Sequence, residues 1–211
     1  MIDINFQIDG STLVKYRGNS SNVVVPAGIH SISKNAFGGN KSIRSVVFPS
    51  SINEIGENAF FQCAALQDVK FEGIAVSIEK QAFAFCSSLK KINLPMMLYS
   101  LGNSVFMGCS SLQNIDLPSS IKALNGTFSG CASLERLIVP EGVMFIGNGT
   151  FTGCKKLSKL VLPSSITMIG KMAFSGCKSL ECIEYNGDKI SWQKIKLPAN
   201  ETLPFVNFTK L

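Results

Sequence analysis

The sequence predicts a strand-dominated repeat solenoid, and three observations carry that prediction. First, one pattern is written seven times: aligned on its phenylalanine it recurs at Phe37, Phe60, Phe83, Phe106, Phe128, Phe151 and Phe174, with spacings of 23, 23, 23, 22, 23 and 23 residues. A fixed period of roughly 20–50 residues is the mark of stacked supersecondary units. Second, each repeat holds a short alternating run closed by proline, as in Leu112-Gln113-Asn114-Ile115-Asp116-Leu117-Pro118. Alternation reads as a strand, and a proline, with no N–H to donate, ends it. Third, the remaining Ile-x-x-Ile-Gly-x-x-Ala-Phe part has no long helical run, so it crosses the opposite side as turns or a second short strand. Each coil alone exposes its apolar slots; only stacking closes them into a core.

Taken in order, residues 1–28 form an atypical first unit. Ile2, Ile4, Phe6 and Ile8 alternate, Asp9-Gly10 signals a turn, and Leu13, Val14 and Tyr16 follow, which predicts a β-hairpin cap over the open face of the first coil. Val23-Val24-Val25-Pro26 adds a short strand. Seven repeats then occupy 29–185 without a linker, so the chain reads as one structural domain. Repeat one has Asn40 where later repeats have cysteine, and asparagine meets backbone groups in a tight turn more strongly. Repeat three replaces Pro-Ser-Ser-Ile with Glu72-Gly73-Ile74-Ala75, which predicts an irregular corner. Repeat five is a residue short, because Leu124-Asn125-Gly126-Thr127-Phe128 has three residues between its anchors where the others have four. After Tyr185 the pattern dissolves, and 186–211, with Asn186-Gly187-Asp188 and Trp192, reads as a C-terminal cap.

Composition narrows the function classes. With 45% hydrophobic and 16% charged residues the chain folds. A net charge of +6 favours anionic partners in general. Only three arginines, and aromatic residues held at repeat slots, argue against nucleic acid. Met1-Ile2-Asp3-Ile4-Asn5 does not resemble a signal peptide, and no segment approaches a membrane span; a cytoplasmic location stays open on this evidence. Cys63, Cys86, Cys109, Cys131, Cys154 and Cys177 fill one slot of successive repeats, predicting a ladder of buried free thiols. Rungs about 4.8 Å apart would allow pairing by distance, but parallel side chains disfavour it.

In seven registered copies, the repeat, with its pattern of Leu-x-x-Ile-x-Leu-Pro, Ile-x-x-Ile-Gly, Ala-Phe and Cys, resembles the BspA-like class of leucine-rich repeat over about three quarters of the chain. Asp9-Gly10-Ser11-Thr12-Leu13-Val14-Lys15-Tyr16 and Tyr185-Asn186-Gly187 with Trp192 resemble that family's end units. The resemblance implies an α/β-class leucine-rich repeat fold, a curved right-handed solenoid with a parallel sheet on its concave face. It also implies an extracellular or cell-surface interaction module, some members binding host matrix proteins or other cells.

Little in the sequence points to catalysis, a metal or a cofactor. His30 is the one histidine and sits in a variable slot, no C-x-x-C pair occurs, and no serine or cysteine is singled out beside a base. The informative positions are those that the repeat leaves free. Residues flanking the inward Ile slot should point outward in two columns, Ser45, Asp68, Lys91, Asn114, Arg136, Lys159 and Cys182, and Val47, Lys70, Asn93, Asp116, Ile138, Val161 and Glu184. Two outward apolar residues beside two cations make Arg136, Ile138, Lys159 and Val161 the candidate partner-binding patch. Lys155, Lys156 and Lys178 form a candidate anion-contact flank after the cysteine slot. The reading is a non-enzymatic protein-binding solenoid, with a structural or assembly module of a larger surface protein as the alternative.

Overall fold

The computed structural model describes residues 5–199 and 203–209. It is a strand-dominated β-solenoid of about eight turns. The chain opens on an antiparallel hairpin of β1 (Phe6–Asp9) and β2 (Thr12–Tyr16), turned at Gly10, followed by β3 (Asn22–Val24). Two kinds of strand then alternate along the coils. Strands from the Leu-x-x-Ile part of the repeat are β5 (Ser45–Phe48), β7 (Asp68–Phe71), β9 (Lys91–Asn93), β12 (Arg136–Ile138), β14 (Lys159–Leu162) and β16 (Cys182–Tyr185), of which β5, β9, β12 and β14 run into a proline. Between them run strands from the Ile-Gly part of the repeat: β4 (Ser31–Ile32), β6 (Glu54–Ile55), β8 (Ala75–Ile78), β10 (Met97–Leu101), β11 (Ala123–Leu124), β13 (Phe145–Ile146) and β15 (Met168–Ile169). A single helical turn, α1 (Lys189–Gln193), and β17 (Phe205–Phe208) complete the described elements.

Each set stacks in parallel on its own side. The first set, with β3 and β17 at its ends, forms a first side of two sheets, β3-β5-β7-β9 and β12-β14-β16-β17. A second side consists of β1-β2-β4-β6-β8-β10 and β11-β13-β15. The third side is a file of turns. Here the residue before each Ala-Phe pair, or its counterpart Val-Phe or Thr-Phe, and the residue before each Cys/Asn both have positive φ, four positions apart in every repeat, from Asn35 and Gly39 to Met172 and Gly176. Glycine takes this backbone at little cost. Gln62 and Phe85 stand in the same slot as Gly39, at φ 57 and 60, and their Cβ atoms make the conformation unfavourable by about 1–2 kcal/mol.

Inside, the seven phenylalanines run as one file. Phe37 through Phe174 stack with centroids 4.4–6.0 Å apart and planes within 15°. Tyr16 of β2 extends the file at 5.2 Å from Phe37, and Phe6 lies against Tyr16 in turn. At the other end Tyr185, Trp192 and Phe208 meet edge to face. Asp188 caps α1, accepting from the Ser191 amide while the Ser191 hydroxyl accepts from the Asp188 amide. Those hydrogen bonds, led by that from the Ser191 amide, lower the Asp188 pKa.

The cysteines are all free. Each of the six ladder thiols donates to the carbonyl of the phenylalanine in the preceding repeat, Cys63 to Phe37 at 3.1 Å and onward to Cys177 to Phe151 at 3.0 Å. Burial pushes Cys63 and Cys131 up to about 12, and raises Cys86 and Cys109 well above an ordinary thiol. Cys154 is raised by its hydrogen bond to Cys177 and by burial, so Cys177, nearer solvent, ionises first. Asn40 fills the slot as expected of an amide: its Oδ1 accepts from the Ser42 and Ile43 amides and its Nδ2 donates to Gly18.

Two irregularities stand out. At repeat three the usual corner, in which the Ile amide donates to the proline carbonyl as in Ile52 to Pro49, gives way to a bend at Gly73 and Ile74. The second lies one repeat further on. Leu112–Pro118, which the alternation predicts to be a strand, is not one: Ile115 is buried, yet no backbone hydrogen bond joins residues 114–117 to β9 or to β12. The second side is interrupted at the adjoining step, between β10 and β11.

The break adjoins the shortened repeat. Gly102 donates to Ile78, and Asn103 accepts from Gln81. One repeat later Asn125 alone stands for both residues. It accepts from the Ser104 amide at 2.8 Å and makes no corresponding bond to Leu101. At this step the turn slots Phe106 and Phe128 are 22 residues apart while Leu101 and Leu124 of the second side are 23 apart; one step on the intervals are reversed, 23 for Phe128 to Phe151 and 22 for Leu124 to Ile146, and there β11 and β13 pair. Thr127 marks the same step. Its repeat-six counterpart Thr150 is buried and donates to Leu124 and Gly147 at 2.9 and 2.8 Å, whereas the buried Thr127 hydroxyl has no partner.

Candidate functional site

The outward columns exist and are in register. Ser45, Asp68 and Lys91 pair along one, Val47, Lys70 and Asn93 along the other. Beyond the break Arg136 lies beside Lys159, and Ile138 beside Val161 and then Glu184. The columns run on to Asn22 and Val24 at one end and to Phe205 and Asn207 at the other. Successive side chains of a strand point to opposite faces, so the buried Leu137 and Leu160 between these positions enter the core.

The four candidate residues therefore sit together on β12 and β14, but in different states. Arg136 is exposed and makes no ion pair among the described residues; Ile138 is 51% exposed. Lys159 is committed to Glu184 at 3.3 Å. Val161, expected to be an open apolar contact, is only 8% exposed. Its short side chain lies between Ile138 on β12 and Glu184 on β16, and the Lys159–Glu184 pair spans β14 and β16 beside it. A β-branched residue flanked by longer ones on a parallel sheet is covered although it points outward. The accessible pair is Arg136 and Ile138.

Beside that pair the break opens two clefts. One, of about 160 Å³, is lined by Asn114, Asp116, Leu117, Arg136, Ile138 and Pro140. The other, of about 340 Å³, lies on the far side of the same segment against Lys90, Lys91 and Asn93. Asp116 thus stands between the cations of two strands without an ion pair to either. Spacing alone does not reveal these clefts; the signal in the sequence is the one 22-residue interval.

Lys155, Lys156 and Lys178 are exposed in the turns after the cysteine slot, away from the outward columns, and none has a carboxylate partner among the described residues. Lys155 and Lys178 occupy the same slot on adjacent coils. Also unforeseen is an apolar group on β10 and at the irregular corner: Ile74, Met96, Met97 and Tyr99 are 74, 85, 49 and 67% exposed. Among the described residues no group of His, Cys, Asp or Glu could hold a metal, and no helix is long and apolar enough to cross a membrane.

The architecture, short parallel strands stacked around a phenylalanine file with variable outward columns, defines a leucine-rich repeat solenoid. The chain belongs to the BspA type leucine-rich repeat family, whose pattern covers residues 10–127 and 124–200 in six copies. Proteins of this family are generally protein-interaction or surface proteins, often surface-exposed or secreted in bacteria. A leucine-rich repeat protein of T. pallidum is similar in structure, with a TM-score of 0.72 and 29% identity over 86% of this chain and 85% of that one. A leucine-rich repeat protein of Bacteroides ovatus aligns with a TM-score of 0.55 and 25% identity, over 89% of this chain and 61% of its own. These family and fold neighbours are non-enzymatic repeat proteins. No curated protein matches the chain.

Proposed function

We propose that the chain is a non-enzymatic protein-interaction module that acts at the cell surface or in secreted form. It binds a macromolecular partner, such as a host matrix or cell-surface protein, through the outward face of its first side. The observation that carries this reading is the pairing of the exposed Arg136 and Ile138 in registered columns, beside clefts that offer Asp116, Lys91 and free backbone groups. A central apolar anchor next to an arginine is the composition of an interface hot spot. The anion flank of Lys155, Lys156 and Lys178 would add steering toward acidic surfaces. In this reading 1–28 and 186–211 serve as caps for the repeats of 29–185.

Binding of the intact chain to a panel of immobilised matrix and cell-surface proteins tests it, with an Arg136→Glu, Ile138→Glu double variant as the comparison. Both side chains are exposed, so the fold should persist by circular dichroism while affinity falls at least about tenfold, the weight of a modest hot spot. Unchanged affinity in a folded variant would move the interface elsewhere. The alternative, an assembly module, is favoured by the apolar outward residues on the end strands, Val24 and Phe205, at 67 and 75% exposed. Light scattering across a concentration series distinguishes it: self-association that Phe205→Glu abolishes would support assembly.

A further inference from the structure

The irregularities at repeats four and five have a common mechanical consequence. Between the coil of β10 and the coil of β11 and β12 both sides of the solenoid lose their strand pairing. What persists is the third side. The Ser104, Phe106 and Gly108 amides donate to Asn125, Thr127 and Ser129 at 2.8, 3.1 and 2.7 Å. Phe106 and Phe128 stay stacked at 5.9 Å, and the Cys131 thiol reaches the Phe106 carbonyl. Beyond this edge the two coils share a few polar links: Ser133 to Ser110, Glu135 to Gln113, and Leu98 to the Ser120 hydroxyl. One step further on, by contrast, β11–β13 and β12–β14 both pair.

We propose that this step is a built-in articulation. The coils through β10 and those from β11 onward rock about the phenylalanine and turn edge, and the clefts beside residues 113–117 widen and narrow as they do. A parallel ladder resists such bending because each rung is tied to the next on both sheet sides. Here those ties are absent, beside the repeat that is one residue short, and one edge is left as the pivot. Clefts of about 160 and 340 Å³ on the first side, and another of about 200 Å³ between β10 and Ser120–Ala123, are the space the motion requires. The articulation falls beside Arg136 and Ile138, so the face adapts its shape where contact is expected. The inference itself stands whether or not that face binds a partner.

Amide hydrogen exchange on the intact chain tests local opening. The amides of Ile92, Ile115, Asp116 and Ile138 should exchange at least about tenfold faster than those of Val46, Val69 and Leu160 in the unbroken ladders. Inserting a glycine between Leu124 and Asn125 recreates the Ile146-Gly147-Asn148-Gly149-Thr150-Phe151 pattern of repeat six and should slow those four amides to ladder rates. For the motion itself, spin labels at Lys70→Cys and Lys178→Cys in a Cys177→Ala, Cys182→Ser background, which removes both partly exposed native thiols, span the step. Their distance distribution should be broader than that of an Asn22→Cys, Lys70→Cys pair within one half. Uniform exchange in the native chain, equal widths for the two label pairs, or a folded insertion variant that leaves the fast amides fast would each overturn the proposal. If the insertion prevents folding, the native exchange pattern and the label pairs decide it.

Discussion

Thr127 and Thr150 occupy equivalent slots one repeat apart, and the same substitution at the two should change stability in opposite directions. Other repeats place Ala36, Ala59, Ala82, Val105 and Ala173 there, so an apolar side chain suits the slot. Thr150→Val removes a buried donor that reaches two carbonyls, at 2.9 and 2.8 Å. Leu124 keeps its bond from the Gly147 amide, so the loss is that of one net hydrogen bond plus partial exposure of the Gly147 carbonyl to an apolar neighbour, about 1–2 kcal/mol. Thr127→Val deletes a hydroxyl that is buried without a partner, relieving about 1–2 kcal/mol of unrecovered desolvation. The shape is kept in both, so cavity effects are small. Urea unfolding followed by circular dichroism should therefore separate the two variants by about 2–4 kcal/mol, with the wild type between them. If both variants lose stability equally, Thr127 has a partner in solution, and the account of the shortened repeat fails.

Other outcomes follow from the turn and cysteine files. Folded thiols held up to about 12 at Cys63 and Cys131 release their protons later than the same thiols in the unfolded chain. Their stabilisation is complete below an ordinary thiol pKa and declines as pH rises from about 9 toward 12, by up to about 1.4 kcal/mol per pH unit for each thiol. Urea midpoints at pH 7.5, 9 and 10 should fall accordingly, and Cys131→Ala should show a shallower pH slope. Gln62→Gly, at φ 57, should stabilise the chain by about 1 kcal/mol in the same assay, because glycine removes the Cβ strain; a loss would mean that the side chain contributes more than the backbone costs. Asn40→Ala leaves the Ser42 and Ile43 amides and the Gly18 carbonyl without their partner. It should cost about 1–3 kcal/mol, measured as a lower urea midpoint.

Much of the molecule was legible because periodicity is local information that a stack converts directly into geometry. The phenylalanine interval announced a single file, and the centroids run as one. Asp9-Gly10 announced the hairpin, the cysteine slot a ladder of free thiols, and Asn40 a polar stand-in. Alternation also announced which residues of each strand face outward. It misled at Leu112–Pro118, where the pattern is as good as in any repeat but the strand is absent. A strand exists only when its backbone pairs with a neighbour, and residues 114–117 pair with neither β9 nor β12.

The sequence alone determined the repeat, its slots, the inward and outward sides of every coil and the position of the one deletion, since these depend on which residues recur and at what interval. Only the tertiary structure decided what happens beside the deletion. It showed that Asn125 accepts from Ser104 but makes no bond to Leu101, that Thr127 is left unpartnered, and that both strand sides part while the phenylalanine edge holds. It likewise decided that Val161 is covered while Ile138 is open, because the exposure of an outward residue depends on the lengths and ion pairs of side chains on adjacent coils. Those neighbours are about 23 residues distant in the chain and one rung away in space.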